Sequence, residues 1–394
     1  MSALSRISTS RLVLVLPLVF VPVLVAVLVP ARAHAATIRV PADQPTIQAG
    51  IDAAATGDEV LVAAGTYTGP GNRDLDFAGK ALALRSESGA QATVIDCQSQ
   101  GRGVWLHSGE PSTAIIEGFT VTGGLASEGG AMLLEGASPT VRSCIFTLNY
   151  SADRGGGAIS SQGGSPVFSD CQFTGNVGDH GVGGAVLLDG GAMNFTRCEF
   201  RRNNGTFQGG AFYVQSATVM LAECILDRNG TIGYGGALLA KATTLTLDHC
   251  TLHANAASFG GGGGGLSLDD ASTATITNTI IAFSTDGEAV NCRDGSSATL
   301  SCSDVFGNAD GDWTSCLAGQ QGQNDNLALD PLFCDAANGD LSLNAASPCQ
   351  PANAPGGCGL IGALGVGCGT AAIPDPDATP LAPSTWGAIK ARNR

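Results

Sequence analysis

The stretch GGAISSQGGSPVFSDCQFTGN, residues 156–176, decides the fold, because near copies of it stand in register before and after it. Its opening, Gly156-Gly157-Ala158-Ile159, recurs as Gly129-Gly130-Ala131-Met132, Gly183-Gly184-Ala185-Val186, Gly209-Gly210-Ala211-Phe212 and Gly235-Gly236-Ala237-Leu238. A looser sixth start, Gly264-Gly265-Leu266, follows a glycine run from Gly260. The cysteine of the stretch belongs to a series, Cys144, Cys171, Cys198, Cys224 and Cys250, with steps of 27, 27, 26 and 26 residues. Five residues after each comes an Asn: Asn149, Asn176, Asn203, Asn229 and Asn255.

Such a period restricts the architecture. Apolar residues alternate with others inside the repeat, as in Val141-Arg142-Ser143-Cys144-Ile145-Phe146. That is strand periodicity, with no helical pattern between. Propeller blades need about 40 residues, and leucine-rich repeats would show a leucine framework with helical halves. Two or three short strands per turn, joined by tight corners, predict an all-β, single-stranded right-handed parallel β-helix. Coils about 4.8 Å apart make a rod of about 50 Å from roughly ten coils.

The repeated residues have physical tasks in such a coil. Paired glycines permit positive φ at a corner and leave room for the neighbouring backbone. Phe146, Phe173 and Phe200 stand two after their Cys and share its face of the strand. The five cysteines predict a structural stack of buried thiols acting as small apolar residues. The five asparagines, each in a turn, predict a structural amide ladder that satisfies corner backbone groups.

The pairing of Gly-Gly-Ala-[Ile/Leu/Val] with Phe-x-x-Asn, complete in Phe146-Thr147-Leu148-Asn149, Phe173-Thr174-Gly175-Asn176 and Phe200-Arg201-Arg202-Asn203, resembles the polymorphic outer-membrane protein repeat. That repeat is a branch of the pectin-lyase-like β-helix group. Leu226 and Leu252 replace Phe in the next two copies, and the likeness is strong over about residues 118–283. It implies the β-helix fold and a surface-displayed, adhesive role. Members that anchor themselves end in an autotransporter barrel, for which the residues after these repeats leave no room.

The rest of the chain divides around the repeats. Residues 1–35 read as a signal peptide: Arg6 and Arg11, an uncharged run from Leu12 to Val29, then Ala33-His34-Ala35. Residues 36–68 read as an N-terminal cap, with a strand at Thr37-Ile38-Arg39-Val40 and a short helix from Gln44-Pro45-Thr46-Ile47-Gln48 to about Ala55. Ile47 and Ile51 share one helix face, suited to plugging the first coil. Residues 69–290 are the β-helix repeats, and 291–369 a Cys-rich set of terminal coils and cap. Residues 370–394 are a Pro/Ala-rich linker and basic tail, a candidate sorting or docking tag. The C-terminal cysteines, Cys292, Cys302, Cys316, Cys334, Cys349, Cys358 and Cys368, predict two or three disulfides.

Charge narrows the partners. The net charge is −15, and loss of the leader's Arg6, Arg11 and Arg32 takes it to −18. Nucleic-acid binders show the opposite balance. Zinc lacks a repeated C-x-x-C, and no histidine follows His253. No metal or other cofactor is expected; calcium at acidic corners such as Asp304 to Asp312 is the one candidate ion. His180, His249 and His253 are expected to be surface or turn residues. The candidate catalytic carboxylates are Asp269-Asp270 after the glycine run, Asp189 at the comparable strand end two to three coils earlier, and Asp179-His180 before the third Gly-Gly-Ala start. The polygalacturonase-like branch carries Asn-Thr-Asp, Asp-Asp, Gly-His-Gly and Arg-Ile-Lys in order, and only an isolated Asp-Asp occurs here. The sequence therefore predicts an exported, secreted or envelope-associated β-helix without catalysis, acting in adhesion, glycan binding or as a structural module. Its expected partner is a polysaccharide or cell-surface glycan. The alternative is a polysaccharide lyase or glycoside hydrolase.

Overall fold

The computed structural model describes residues 35–179, 181–258 and 262–369. The expected leader, but for Ala35, lies outside the described residues, as do the linker and tail and His180.

Residues from Thr37 onward wind into an all-β parallel solenoid. One coil shows the path. Met132–Glu135 runs in an eight-stranded sheet, Thr140–Arg142 in an eleven-stranded sheet, Ile145–Thr147 in a ten-stranded sheet and Tyr150–Gly155 in a six-stranded sheet. The chain then returns to pair Ile159 with Met132, Phe168 with Val141 and Phe173 with Phe146, all parallel. A full coil thus carries four strands, where the sequence predicted two or three. The fourth, just after the ladder Asn, is as short as two residues, as at Val177–Gly178 and Asn204–Gly205. Strands that short leave no alternation to read. Eleven strands in the longest sheet also exceed the ten coils expected.

The core is a set of files. Phe146, Phe173 and Phe200 stack with ring centroids 4.9 and 4.5 Å apart, and Phe168 stacks on Phe195 at 5.0 Å. Phe195 meets Phe200 edge-on at 5.3 Å, so two files interlock. All five rings are buried. The Gly-Gly corner explains itself at Gly156-Gly157. Gly156 has φ +66°, and a Cβ there would lie 2.2 Å from the Ile159 carbonyl oxygen; one on Gly157 would lie 2.3 Å from the Gly184 oxygen of the next coil. Only glycine fits both demands.

The opening cap holds a helix at Ile47–Ala53, shorter at each end than expected. Thr46 caps it, its hydroxyl accepting the Ala49 N–H at 3.2 Å, so the preceding Gln44 and Pro45 stay outside. Ile47 and Ile51 are fully buried against the first coil. At the other end Leu317 closes the main core. Beyond it the chain turns back: Leu343, Cys349, Cys358 and Ile361 pack on Ile280 and Ala282, covering part of the outer face of the ten-stranded sheet. Three disulfides tie this end, Cys292–Cys316, Cys302–Cys358 and Cys334–Cys368.

Candidate ligand-binding face

Register places one polar residue per coil on the outside of the eight-stranded sheet. Met132 and Leu134 point into the core, so Leu133 and Glu135 point out. Glu135 pairs with Gln162, then Asp189, Gln215, Lys241 and Asp269 follow in line. Arg293 extends the file, its backbone N–H bonded to Leu268 O at 2.8 Å. Seven side chains at about 4.8 Å spacing form a track of about 29 Å. The parallel outward file runs Trp105, Leu133, Ser160, Leu187, Tyr213, Leu239, Ser267 and Asn291.

The second file is partly roofed. The segment before the Gly129-Gly130 corner reaches over it, where Glu128 accepts from Ser160 Oγ at 3.4 Å and Gln162 Nε2 at 3.1 Å. Leu133, Ser160, Leu239 and Ser267 are buried. Two aromatics escape the roof. Trp105 is 36% exposed; its ring stacks on His107 at 4.4 Å, and its indole N–H donates to Glu135 at 2.7 Å. Tyr213 is half-buried and donates to Gln215 at 3.0 Å. Burial pushes the Tyr213 phenol up, against the pull of Lys241.

Asp269 and Asp270 lie on this face, each beside a different cation. Asp269 is buried, and Arg293 forks both of its oxygens, Nε at 2.8 Å from Oδ1 and Nη2 on Oδ2. That guanidinium also lies 3.6 Å from the Tyr234 ring centroid. The contact with Asp269 holds Arg293 above its usual range. Asp270 sits in the following turn at φ +55°, 3.4 Å from Lys241 Nζ. Each carboxylate is thus engaged by its own cation. Asp189 is exposed, three coils before Asp269.

The repeated cysteines and asparagines lie inside. Cys144, Cys171, Cys198, Cys224 and Cys250 are buried free thiols, joined by Cys97 and Cys349. Burial pushes the Cys171, Cys198 and Cys224 thiols up, away from thiolate chemistry. The asparagines form a continuous chain. Asn149 Nδ2 donates to Asn176 Oδ1 at 3.1 Å, and Asn176–Asn203, Asn203–Asn229 and Asn229–Asn255 repeat this at 3.0 Å. Each receiving Oδ1 also takes the backbone N–H of the donor Asn, as Asn203 does from Asn176 at 3.0 Å. Among the described residues, one group of three ligand-type side chains converges, Cys302, Asp325 and Cys358, and its cysteines are joined as a disulfide. The acidic corner is spent on backbone: Asp312 accepts from Gly307 and Asn308, and Asp304 from Leu329. His253 departs from expectation. It is buried on a strand, its Nδ1 2.7 Å from Asp227 Oδ1.

Trp105, Tyr213 and Arg293 were not singled out from the sequence. Counting repeat positions would have aligned Tyr213 with Leu187 and Leu239, but Trp105 and Arg293 lie beyond the regular copies.

The geometry defines a solenoid of right-handed parallel β-helix type with a polar track on one face. The chain belongs to the family of the right-handed β-helix region, whose model matches residues 81–252 and 181–324. Among solved structures it is similar to the pectate lyase Pel9A at 14% identity and TM-score 0.41, over 81% of this chain and 90% of that one. It is also similar to a pectin methylesterase from carrot at 11% identity and TM-score 0.32, over 75% and 88%. No curated protein matches the chain.

Proposed function

We propose that this is an exported, non-catalytic β-helix protein that binds a glycan along the outer face of the eight-stranded sheet. The observation that carries this reading is the file Glu135, Gln162, Asp189, Gln215, Lys241, Asp269 and Arg293, flanked by Trp105 and Tyr213. Aromatic faces accept the C–H surface of a sugar ring, while carboxylates and amides bond its hydroxyls. A track with one group per coil suits an extended chain. Export is supported by the leader pattern of residues 1–35 and by three disulfides, which persist in oxidising compartments. Among the described residues no helix is long and apolar enough to cross a membrane. An adhesive role is supported by the likeness of the repeats to the polymorphic outer-membrane type. Binding along this face calls for no cofactor, calcium included.

The polysaccharide lyase or glycoside hydrolase reading draws on Lys241, Asp270 and Tyr213 sharing that face. One experiment separates the two: incubate the purified chain with a panel of neutral and acidic polysaccharides, with and without calcium, and follow co-sedimentation and chain cleavage together. The expected result is retention without cleavage. Cleavage of any member defeats the non-catalytic reading, and failure to bind every member defeats the glycan reading.

A further inference from the structure

A second polar site lies on the ten-stranded sheet, where the C-terminal segment ends its overlay. Register aligns Thr174, Arg201, Asp227 and His253 on the outer face. Arg202 and Arg228 occupy the same turn position in successive coils, at φ +54° and +53°. With Asn338 and Gly339 of the C-terminal segment as the facing wall, Thr174, Arg201, Arg202, Asp227 and Arg228 line a cleft of about 220 Å³. Drug-sized ligands occupy pockets of about 300 Å³ or more. This cleft suits a single small group.

Its charge is unusual for a chain of net −15. Asp227 is 1% exposed and forms the floor. It takes Arg201 Nη1 at 2.8 Å, Arg228 Nη1 at 3.4 Å and His253 Nδ1 at 2.7 Å. Burial pushes its carboxyl up, but His253, Arg228 and Arg201 outweigh that and hold it below the usual range. Glu199 takes Arg201 Nε at 3.0 Å. Arg228 Nη2 bonds the carbonyls of Ala336 and Ala337, pinning the facing wall. Two guanidiniums thus share the two carboxylates, and the third, that of Arg202, is left over. The Arg202 side chain is exposed, and its guanidinium has no hydrogen bond or ion pair to any described residue; the Thr174 hydroxyl is equally uncommitted. Gly339 opens the wall: a Cβ there would sit 3.4 Å from Arg201 Nη1.

We infer that this cleft is a binding site for a compact oxyanion, with Arg202 as its principal ligand, Arg201 and Thr174 as supporting donors and Arg228 as the residue that holds the cleft's shape. Planar guanidinium forks match carboxylate, sulfate and phosphate groups alike. The oxyanion comes either as a free inorganic ion or on an acidic sugar residue. The site is independent of the glycan track, because it lies on a different sheet and shares no residue with it.

Calorimetric titration of the intact protein with sodium sulfate, a monomeric hexuronate and a neutral hexose tests this. R202A removes an exposed side chain that holds nothing in the fold, and R197A, whose partner is Asp170 outside the cleft, serves as control. The site predicts binding of sulfate or hexuronate, none of the hexose, and a loss of about tenfold or more in R202A, the scale of one charge-assisted contact. R197A should bind as the parent does, and added salt should weaken binding. Equal binding of sulfate and hexuronate supports a free oxyanion; strong preference for hexuronate supports a sugar acid. Absence of binding by both anions overturns the inference. So does binding that R202A leaves unchanged, or equal binding of the neutral hexose. None of these results touches polysaccharide retention on the eight-stranded sheet.

Discussion

A single side chain shows how the repeat is held. Asn203 Oδ1 takes the backbone N–H and the amide of Asn176, and its Nδ2 donates to Phe173 O at 2.9 Å and Asn229 Oδ1 at 3.0 Å. Truncation leaves several buried polar groups unmatched, at about 1–3 kcal/mol each. N203A should therefore lower unfolding free energy by about 3–5 kcal/mol in urea titrations, and a loss under about 1 kcal/mol would deny the ladder its role. Asp269 belongs to the same scale. D269A strands the half-buried Arg293 guanidinium on the Tyr234 ring. The variant should melt earlier than the parent, and an unchanged melting point would show that the fork contributes nothing. The Asn and Phe positions were legible in the sequence because each is repeated and each is dictated by the interior. The track was not, since outward positions carry no burial constraint and Glu135, Gln162 and Lys241 share only a register.

At the scale of the element, the C-terminal segment was the least legible part. Its cysteines announced disulfides, but a closing coil was expected where the chain instead folds back over Ile280 and Ala282. Long-range packing of an irregular segment leaves no period to read. The overlay buries Asp304 completely, with Cys349 Sγ 3.4 Å from its Oδ2. Burial pushes this carboxyl from 3.8 up to about 6. The unfolded chain releases the proton near 3.8, so between these values the folded state holds a proton that the unfolded state has lost. Stability from this group is intact below that window, falls as pH rises through it and stays reduced above it. D304N keeps an acceptor for Leu329 N–H and removes the charge. It should raise stability near pH 7 by about 2–3 kcal/mol and flatten the slope between about pH 4 and 6. Denaturation midpoints across that range check both, and a less stable D304N at pH 7 would show that the carboxylate is needed.

Across the whole solenoid, each coil packs on its neighbours, so the stability of the middle does not depend on the end. The disulfides confine their effect to residues 292–368. Under reducing conditions, limited proteolysis should remove the segment after about residue 327 while the coils from Thr37 to Ser301 resist. Digestion of all coils at the same rate would mean that the overlay supports the solenoid globally. The period of 26 or 27 residues made the architecture legible from residues 129 to 266 alone, because every coil solves one packing problem again. Function is less legible for that same reason: what distinguishes one coil from the next lies on outward files that repetition does not mark.

The glycan track makes the most direct demand. Affinity electrophoresis of the parent, W105A and D189A through gels containing a retained polysaccharide tests it, since Trp105 and Asp189 are exposed and their loss spares the core. The parent should be retarded and both variants should lose about tenfold in affinity, the scale of one stacking or hydrogen-bonding contact in a bound sugar. Equal retardation of all three would place glycan binding off this face and contradict the account.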